Sequence, residues 1–183
     1  MSKRPMRVCV YCAASANLAD HYVAAARELG DGIAQRGWSL IYGGGGVGLM
    51  GTLAKAVRAG GGEVVGIIPQ ALLDRERAYL QADELIVTTT LRERKQLMDD
   101  HSDAFISLPG GFGTLEETLE ILTLRQLAYH DKPVIIVNIG GYFDPLLGMF
   151  EQIFDQGFAH TQHRDLYSVA PSSAAALELL AER

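Results

Sequence analysis

Short apolar runs alternate with longer amphipathic stretches along almost the whole chain. The runs LIVTTT (85–90) and PVIIVN (133–138) are nearly continuous, which indicates strands that are buried on both faces. The apolar pattern predicts strands at Arg7–Tyr11, Ser39–Tyr42, Val64–Ile68, Glu84–Thr88, Ala104–Leu108 and Val134–Asn138, with a short one near Tyr167–Val169. The intervening stretches predict helices at Asp20–Arg36, Leu49–Ala59, Leu91–Ser102, Leu115–Tyr129, Pro145–Gln156 and Ser173–Ala181.

This regular alternation of strands and helices is typical of an α/β fold. It predicts a single-domain, Rossmann-like, doubly wound sandwich with a mainly parallel sheet, spanning residues 1–183. In such sheets, ligands bind at the carboxyl ends of the strands. The candidate functional residues are therefore sought where predicted strands end.

Composition and charge exclude several classes of partner. Of the 183 residues, 48% are hydrophobic and 21% charged, as in a globular domain. The net charge is −6 and no basic run occurs, which argues against nucleic acid and anionic membranes as partners. No apolar stretch approaches the roughly 20 residues of a membrane span. We expect a cytoplasmic protein.

The cysteines form a C-x-x-C pair, Cys9 and Cys12, at a predicted strand. Residues three apart in a strand face opposite sides of the sheet, whereas a redox pair begins at a helix N-terminus. No second cysteine pair completes a zinc site, and His160 and His163 lie in a polar loop. We therefore assign no redox function and no metal.

The first glycine loop, Gly43–Gly51, follows one predicted strand and opens a helix. Glycine lets backbone N–H groups approach an anion, and a helix N-terminus adds partial positive charge. A dinucleotide site would need an acid at the end of the next strand, and a P-loop would need Gly-Lys-Ser/Thr; both are missing. We predict a phosphate site of another kind, with a tight structural turn as the alternative. The candidate contacts are Gly44, Gly45, Gly46 and Gly48.

The second glycine loop lies in the segment SLPGGFGTLEE (107–117). The ordinary interpretation makes Thr114 an N-cap and Glu117 its capping-box partner. At 100° per residue, however, Glu117 shares a helix face with Ile121 and Leu124, on a helix that we expect to be largely buried. A carboxylate there is costly unless it is paired or used. We therefore consider Glu117 a candidate for stabilising positive charge on a sugar ring.

A basic cluster, Arg92, Arg94 and Lys95, opens the helix that follows the fourth predicted strand. Cations at a helix N-terminus oppose the helix dipole and are unfavourable for stability alone. Arg94 and Lys95 are therefore predicted to face a ligand, since arginine offers a bidentate fork to phosphate or carboxylate. Arg92 is equally compatible with an exposed surface. Glu76, in a charged run, is by itself typical of a solvated side chain.

Four motifs together resemble one known family, the LONELY GUY (LOG) family of cytokinin-activating phosphoribohydrolases. PGGFGTLEE (109–117) matches its P-G-G-x-G-T-x-x-E signature, and YGGGGVGLMG (42–51) matches its first glycine motif. RKQLM (94–98) and GYFDPLL (141–147) match two further segments, in the same order and at similar spacing. Members often carry the label "lysine decarboxylase", although nothing in this sequence indicates a lysine that binds pyridoxal phosphate.

The resemblance implies hydrolysis of the N-glycosidic bond of AMP or an N6-modified AMP, releasing the base and ribose 5-phosphate. It implies no cofactor, and a homodimer or an assembly of dimers with sites near the dimer interface. The catalytic arginine and glutamate of the family correspond to Arg94 and Glu117. The other residues expected to contact substrate are Ser15, Glu76, Lys95, Met98, Gly110, Gly111, Phe112, Gly113, Thr114, Leu115, Glu116, Glu120 and Thr123.

Two short segments depart from the family pattern. Leu91 and Arg92 stand where the family has Met-His, and CAAS (12–15) stands where it has C-G-S-S. Both lie near the expected ligand, so they bear on base preference more than on the reaction.

The alternative function is a carrier that binds a nucleotide or the molybdenum cofactor without chemistry, on a similar fold. A pure binder would not require both Arg94 and Glu117. A hydrolase of pyrimidine monophosphates is a third hypothesis.

Overall fold

One parallel sheet organises the molecule. The computed structural model describes residues 4–73 and 77–182. The strands are β1 (Arg7–Tyr11), β2 (Ser39–Tyr42), β3 (Val64–Pro69), β4 (Glu84–Thr88), β5 (Ala104–Ser107), β6 (Val134–Val137) and β7 (Ser168–Ala170). They pair in the order β4-β3-β2-β1-β5-β6-β7, and every pairing is parallel, so the sheet is entirely rather than mainly parallel. The strand order reverses direction between β1 and β5.

Helices cover both faces of the sheet. They are α1 (Asp20–Gln35), α2 (Gly48–Ala59), α3 (Leu91–Asp100), α4 (Phe112–Gln126), α5 (Asp144–Asp155) and α6 (Ser173–Ala181). Buried residues of α1, α2 and α6 share one core with alternate residues of the strands. Those of α3, α4 and α5 share the other core. Because β1, β2, β3, β5 and β6 each contribute to both cores, their sequences are apolar at consecutive positions. The edge strand β4 does not, since Glu84 is exposed and Val87 is 47% exposed, so the prediction that LIVTTT is buried on both faces is wrong. The doubly wound α/β prediction is confirmed.

The two cysteines lie on opposite sides of the sheet, as predicted. Cys9 belongs to the core beneath α3, α4 and α5, whereas Cys12 belongs to the other core. Both are free thiols and both are buried. Burial raises the pKa of each thiol well above its ordinary value, and the negative charge of Glu117 adds to the effect. These thiols are therefore held in the unreactive, protonated form.

The alternative interpretation of Thr114 and Glu117 as a capping box of α4 is wrong. This helix begins at Phe112, and Gly111 occupies the N-cap position with no side-chain cap, so Thr114 lies inside the first turn. Glycine is accepted as an N-cap, and the helix can start three residues earlier than the T-x-x-E pattern suggests. A related cap forms at α3, where Thr90 is the N-cap and the acid reaches the residue before it. There Thr90 Oγ1 accepts from the amide of Glu93 (3.1 Å), and Glu93 Oε2 accepts from the amide of Thr89 (2.7 Å).

The expectation that α4 is largely buried is also wrong. Ile121 and Leu122 pack into the core, but Leu119 is 41% exposed and Leu127, just beyond the helix, is 59% exposed. Only one side of α4 meets the sheet, so its outward apolar residues remain uncovered in the single chain. The ends of the other predicted elements agree with the observed ones to within two residues. None of the described helices has both the length and the apolar character needed to cross a bilayer.

Candidate active site

A cleft of about 760 Å³ opens where β1 and β5 end. Its walls come from the chain after β1 (Val10–Ser15), from the first turns of α3 (Leu91–Lys95) and from the start of α4 (Gly111–Glu117). This is the point where the strand order reverses, and crevices at such switch points are the usual ligand sites of open α/β sheets. The fold therefore brings three separate loops together around one space.

An arginine and a glutamate meet inside this cleft. Nη2 of Arg94 lies 3.3 Å from Oε1 of Glu117, and the two side chains are only 8% and 12% exposed. They come from different helices, so the contact depends on how α3 and α4 pack. Gly43 leaves space for Arg94, because a Cβ at that glycine would overlap Nη2. A poorly solvated ion pair is strongly coupled, since removing either partner leaves an uncompensated charge.

Lys95 links the two helices beside this pair. Its ammonium donates hydrogen bonds to the carboxylates of Glu116 and Glu120 on α4. Burial lowers the pKa of Lys95, but the hydrogen bonds to both carboxylates outweigh burial and raise the pKa above its ordinary value. Lys95 and Glu116 also line the cleft, so the acids around Glu117 are offset by cations and the site need not repel an anion.

The N-terminus of α4 presents free amide groups to the cleft. Within the described residues, no acceptor serves the N–H groups of Gly111, Phe112, Gly113 and Thr114. The first amide with a helical partner is that of Leu115, which donates to the carbonyl of Gly111 (3.1 Å). Such a group of aligned N–H donors, at the positive end of a helix dipole, binds phosphate and other anions.

The N-terminus of α2, by contrast, is already occupied. The amides of Leu49 and Met50 both donate to the carbonyl of Ala13, at 3.0 and 3.3 Å. Gly48 has a φ of +65°, and a Cβ there would come within 2.5 Å of the carbonyl oxygen of Ser15. The first glycine loop is therefore built for close packing against the chain after β1. Its helix dipole is satisfied by protein rather than left open.

The phosphate contacts predicted for the first loop are not supported by their positions. Gly43 is the glycine of this loop that borders the cleft. The next glycines form backbone hydrogen bonds with residues 77–79. The amide of Tyr79 donates to the carbonyl of Gly44, and the amide of Gly46 donates to the carbonyl of Arg77 (both 2.9 Å). Four predicted residues, Gly44, Gly45, Gly46 and Gly48, do not line the cleft.

The second loop agrees better with the prediction, and most of its residues border the cleft. Predicted contacts that do line the cleft are Ser15, Arg94, Lys95, Gly111, Phe112, Gly113, Thr114, Glu116 and Glu117. Gly110 is buried behind the loop, and Leu115 packs toward the core. Glu120 borders a small neighbouring hollow behind Glu117.

Two further predicted contacts, Met98 and Thr123, lie away from the cleft. Met98 is fully buried in the core and does not line the cleft, because its position on α3 faces the sheet. Thr123 lies on the outer side of α4, where its hydroxyl donates to the carbonyl of Leu119 (2.7 Å) and borders an apolar hollow with Phe150. Glu76 falls outside the described residues.

Several residues of the cleft were not singled out as contacts. Tyr11, Met50 and Leu72 line it, together with the departures from the family pattern at Ala13, Ala14, Leu91 and Arg92. Tyr11 could have been found from the sequence, because it is the last residue of β1 and ligands bind at the carboxyl ends of strands. Burial raises the pKa of Tyr11 well above its ordinary value, so its hydroxyl remains protonated.

Other clefts lack such a combination of groups. A groove of similar volume between α1 and α6 is lined by solvent-facing charges, including Asp20, Arg27 and Glu28. It contains no buried ion pair among the described side chains. No group of three or more His, Cys, Asp or Glu residues in the described chain is arranged to hold a metal ion.

Known proteins of two kinds are similar to this chain. A family model described as "possible lysine decarboxylase" matches residues 50–180. Cytokinin riboside 5′-monophosphate phosphoribohydrolase LOG4 of Arabidopsis thaliana is 42% identical over 176 residues, which cover 96% of this chain and 82% of that protein. LOG1 of the same plant is 44% identical over 91% of this chain and 78% of its own length.

The similar solved structures share the fold at lower identity. The molybdenum cofactor binding protein of Rippkaea orientalis superposes with a TM-score of 0.75 at 24% identity, over 99% of this chain and 98% of that one. The molybdenum cofactor carrier protein of Chlamydomonas reinhardtii gives 0.73 at 25% identity, over 98% of each chain. The family match and relatives above 40% identity along nearly the whole sequence show that the chain belongs to the LOG family of cytokinin riboside 5′-monophosphate phosphoribohydrolases.

Proposed function

We propose that this protein hydrolyses the N-glycosidic bond of AMP and N6-modified AMP, releasing the free base and ribose 5-phosphate. The observation that carries the proposal is the poorly exposed Arg94–Glu117 pair, which lies in the same cleft as the open N-terminus of α4. The carboxylate of Glu117 suits a sugar that develops positive charge, and the open N-terminus of α4 suits a phosphate. The relatives at 42–44% identity are named for this reaction.

The 5′-phosphate would bind at the start of α4. The amides of Gly111, Phe112, Gly113 and Thr114 supply donors there, and the helix dipole supplies about half a positive charge. Arg92 lines the same cleft and adds a full positive charge, and Lys95 lines it too, paired with Glu116 and Glu120. Binding a phosphate that is remote from the reacting bond can lower the barrier for that bond, so a nucleotide should be preferred to its nucleoside.

Glu117 would act at the ribose. Breaking the bond between C1′ and the base passes through an oxocarbenium-like state, as in glycoside hydrolysis. A carboxylate beside the ring stabilises that charge and can take the proton of the attacking water. The water oxygen then bonds to C1′, while the base leaves with the bonding electrons and gains a proton. Arg94, 3.3 Å from Glu117, would hold the carboxylate in place.

A carrier without chemistry is not the function that we propose. The molybdenum cofactor proteins resemble this chain at 24–25% identity, a level at which the fold carries most of the likeness. A binding protein has no need of a carboxylate held by an arginine in the cleft. Retention of a nucleotide or pterin through purification, without any release of base, would favour the carrier.

We also propose a homodimer that covers the outer side of α4. Leu119 and Leu127 are exposed there, next to an apolar hollow that Thr123 borders. Thr123 is too far round the helix to line the cleft of its own chain, so any contact with substrate would be with the site of a second copy. A solution mass of twice the chain mass, measured by light scattering, is the expected result.

The experiment is a base-release assay followed by chromatography. AMP, isopentenyladenosine monophosphate, CMP and isopentenyladenosine are each incubated with wild type and with Glu117→Gln. We expect free base from the adenine monophosphates, little from the nucleoside, and a loss of about 10²–10⁴-fold in kcat for the variant, as for removal of a general base.

A matched substitution gives the control. Glu28→Gln changes an exposed glutamate on α1, outside the cleft, and should retain wild-type turnover. Near-normal turnover by Glu117→Gln would contradict the role of Glu117. Release of base from CMP but from neither adenine nucleotide would instead favour a pyrimidine hydrolase.

A further inference from the structure

A tyrosine outside the cleft holds the back of the second glycine loop. The hydroxyl of Tyr142 donates a hydrogen bond to the carbonyl of Gly110 at 2.7 Å. Tyr142 belongs to the connection between β6 and α5, whereas Gly110 immediately precedes the N-cap of α4. Tyr142 does not line the cleft, so any influence on a ligand would pass through the loop.

The segment that carries Tyr142 is itself held firmly. The Asn138 side-chain oxygen accepts from the amide of Phe143 (2.8 Å), and its nitrogen donates to the Asp144 carboxylate (2.7 Å). The ring of Tyr142 meets those of Phe143 and Tyr22 edge-on, with centroids 5.0 and 5.8 Å apart. The hydroxyl therefore comes from a fixed support, although 42% of Tyr142 is exposed.

The bond to Gly110 also sets the direction of the next amide. The carbonyl of Gly110 and the N–H of Gly111 belong to one trans peptide plane, in which they point in opposite directions. Holding the carbonyl on Tyr142 therefore turns the N–H of Gly111 away from Tyr142. Gly111 lines the cleft, and a Cβ there would have no neighbour within 4 Å, so the space on the cleft side of this residue is open.

We propose that Tyr142 is a positioning residue for phosphate binding, which acts by orienting the peptide between Gly110 and Gly111. This inference rests on the proposed phosphate site at the start of α4. Without the hydroxyl, the peptide can rotate, and the N–H of Gly111 loses its fixed direction. The amides inside the helix keep theirs, so phosphate binding should weaken but persist.

The test uses Tyr142→Phe and the binding of ribose 5-phosphate, measured by titration calorimetry. Phenylalanine keeps the ring contacts with Tyr22 and Phe143 and removes only the hydroxyl. We expect the Kd of ribose 5-phosphate to rise about three- to tenfold, the range that follows from losing one hydrogen bond. With AMP as substrate, KM should rise by a similar factor while kcat changes less than about twofold.

Tyr129→Phe is the matched control. Tyr129 is 77% exposed and does not line the cleft, so ribose 5-phosphate should bind as to wild type. An unchanged Kd for Tyr142→Phe would overturn the inference, even if the variant melted at a lower temperature, because that would mark a structural role only. Failure of wild type to bind ribose 5-phosphate would overturn it too.

The binding readout also separates this inference from the proposed function. If wild type bound ribose 5-phosphate but released no base from any nucleotide, the hydrolase proposal would fail. The effect of Tyr142→Phe on the Kd would still decide the role of Tyr142.

Discussion

A single methyl group at Gly43 tests whether the position of Arg94 matters for the reaction. Gly43 follows β2 and has no left-handed φ, so alanine fits its backbone without strain. A Cβ at this position would overlap Nη2 of Arg94 and would lie 3.0 Å from its Cζ. Gly43→Ala therefore removes no charge from the site but displaces the guanidinium of Arg94.

The displacement can be worked from these contacts. Ordinary van der Waals contact begins at 3.4 Å, so Cζ must retreat by about 0.4 Å and Nη2 by more than about 1 Å. The Arg94–Glu117 distance is 3.3 Å, and a shift of that size disrupts the geometry of the pair. Misplacing a catalytic group by about 1 Å can cost about 10²-fold in rate. Because a side-chain tip moves rather than backbone, the stability cost should stay at about 1–2 kcal/mol.

The assay compares the kcat for AMP with the free energy of unfolding in urea. We expect kcat to fall about 10²-fold while Gly43→Ala remains folded and unfolds cooperatively. The control is Gly148→Ala on α5, where a Cβ would meet nothing within 4 Å. It should keep wild-type kcat and gain up to about 1 kcal/mol of stability, as for glycine to alanine in a helix. A kcat for Gly43→Ala within twofold of wild type would refute the reasoning.

Two further predictions concern stability. The hydroxyl of Thr118 lies 2.7 Å from that of Ser107 and donates to the carbonyl of Thr114, all in the buried support of α4. Thr118→Val should cost about 1–3 kcal/mol by leaving Ser107 unpaired, and an unchanged urea midpoint would contradict this. Burial lowers the pKa of His130, although a hydrogen bond to the carbonyl of Ile121 opposes the shift. The unfolded chain then binds more protons between the lowered pKa and 6.5, so stability should decrease as the pH is lowered through that window. His130→Gln should show a smaller pH dependence of unfolding, and equal dependence in the two proteins would sink this explanation.

The order of strands and helices was predictable because it depends on the local pattern of apolar and polar residues. Apolar runs rich in β-branched residues mark the buried strands, and strand-to-helix alternation leaves few folds to choose from. The segment that contains Glu117 and the cluster that contains Arg94 were identified for the same reason. Cations at the start of a helix oppose its dipole, and a carboxylate on an apolar helix face is costly unless it is paired or used, so stability alone would select neither. Spacing and charge near a helix end are properties of a short stretch of chain.

The contacts between residues that are far apart in the sequence were not predictable in this way. The two glycine loops have similar sequences, yet only the N-terminus of α4 is open. The amides of α2 are taken by the carbonyl of Ala13, which belongs to a distant loop. The exposure of Leu119 and Leu127 likewise depends on which side of α4 meets the sheet, since the helix is apolar nearly all round.

By itself, the sequence determined the α/β class, the strand and helix positions, and the residues with the chemistry for the site. These follow from side-chain period and backbone preference within about 15 residues. Only the tertiary structure decided the strand order, the burial of Arg94 against Glu117 and the unpaired amides at the N-terminus of α4. A buried polar group forms its hydrogen bonds with whichever groups the fold brings close to it, and packing decides which residues can lie there. That proximity depends on the packing of all the elements together.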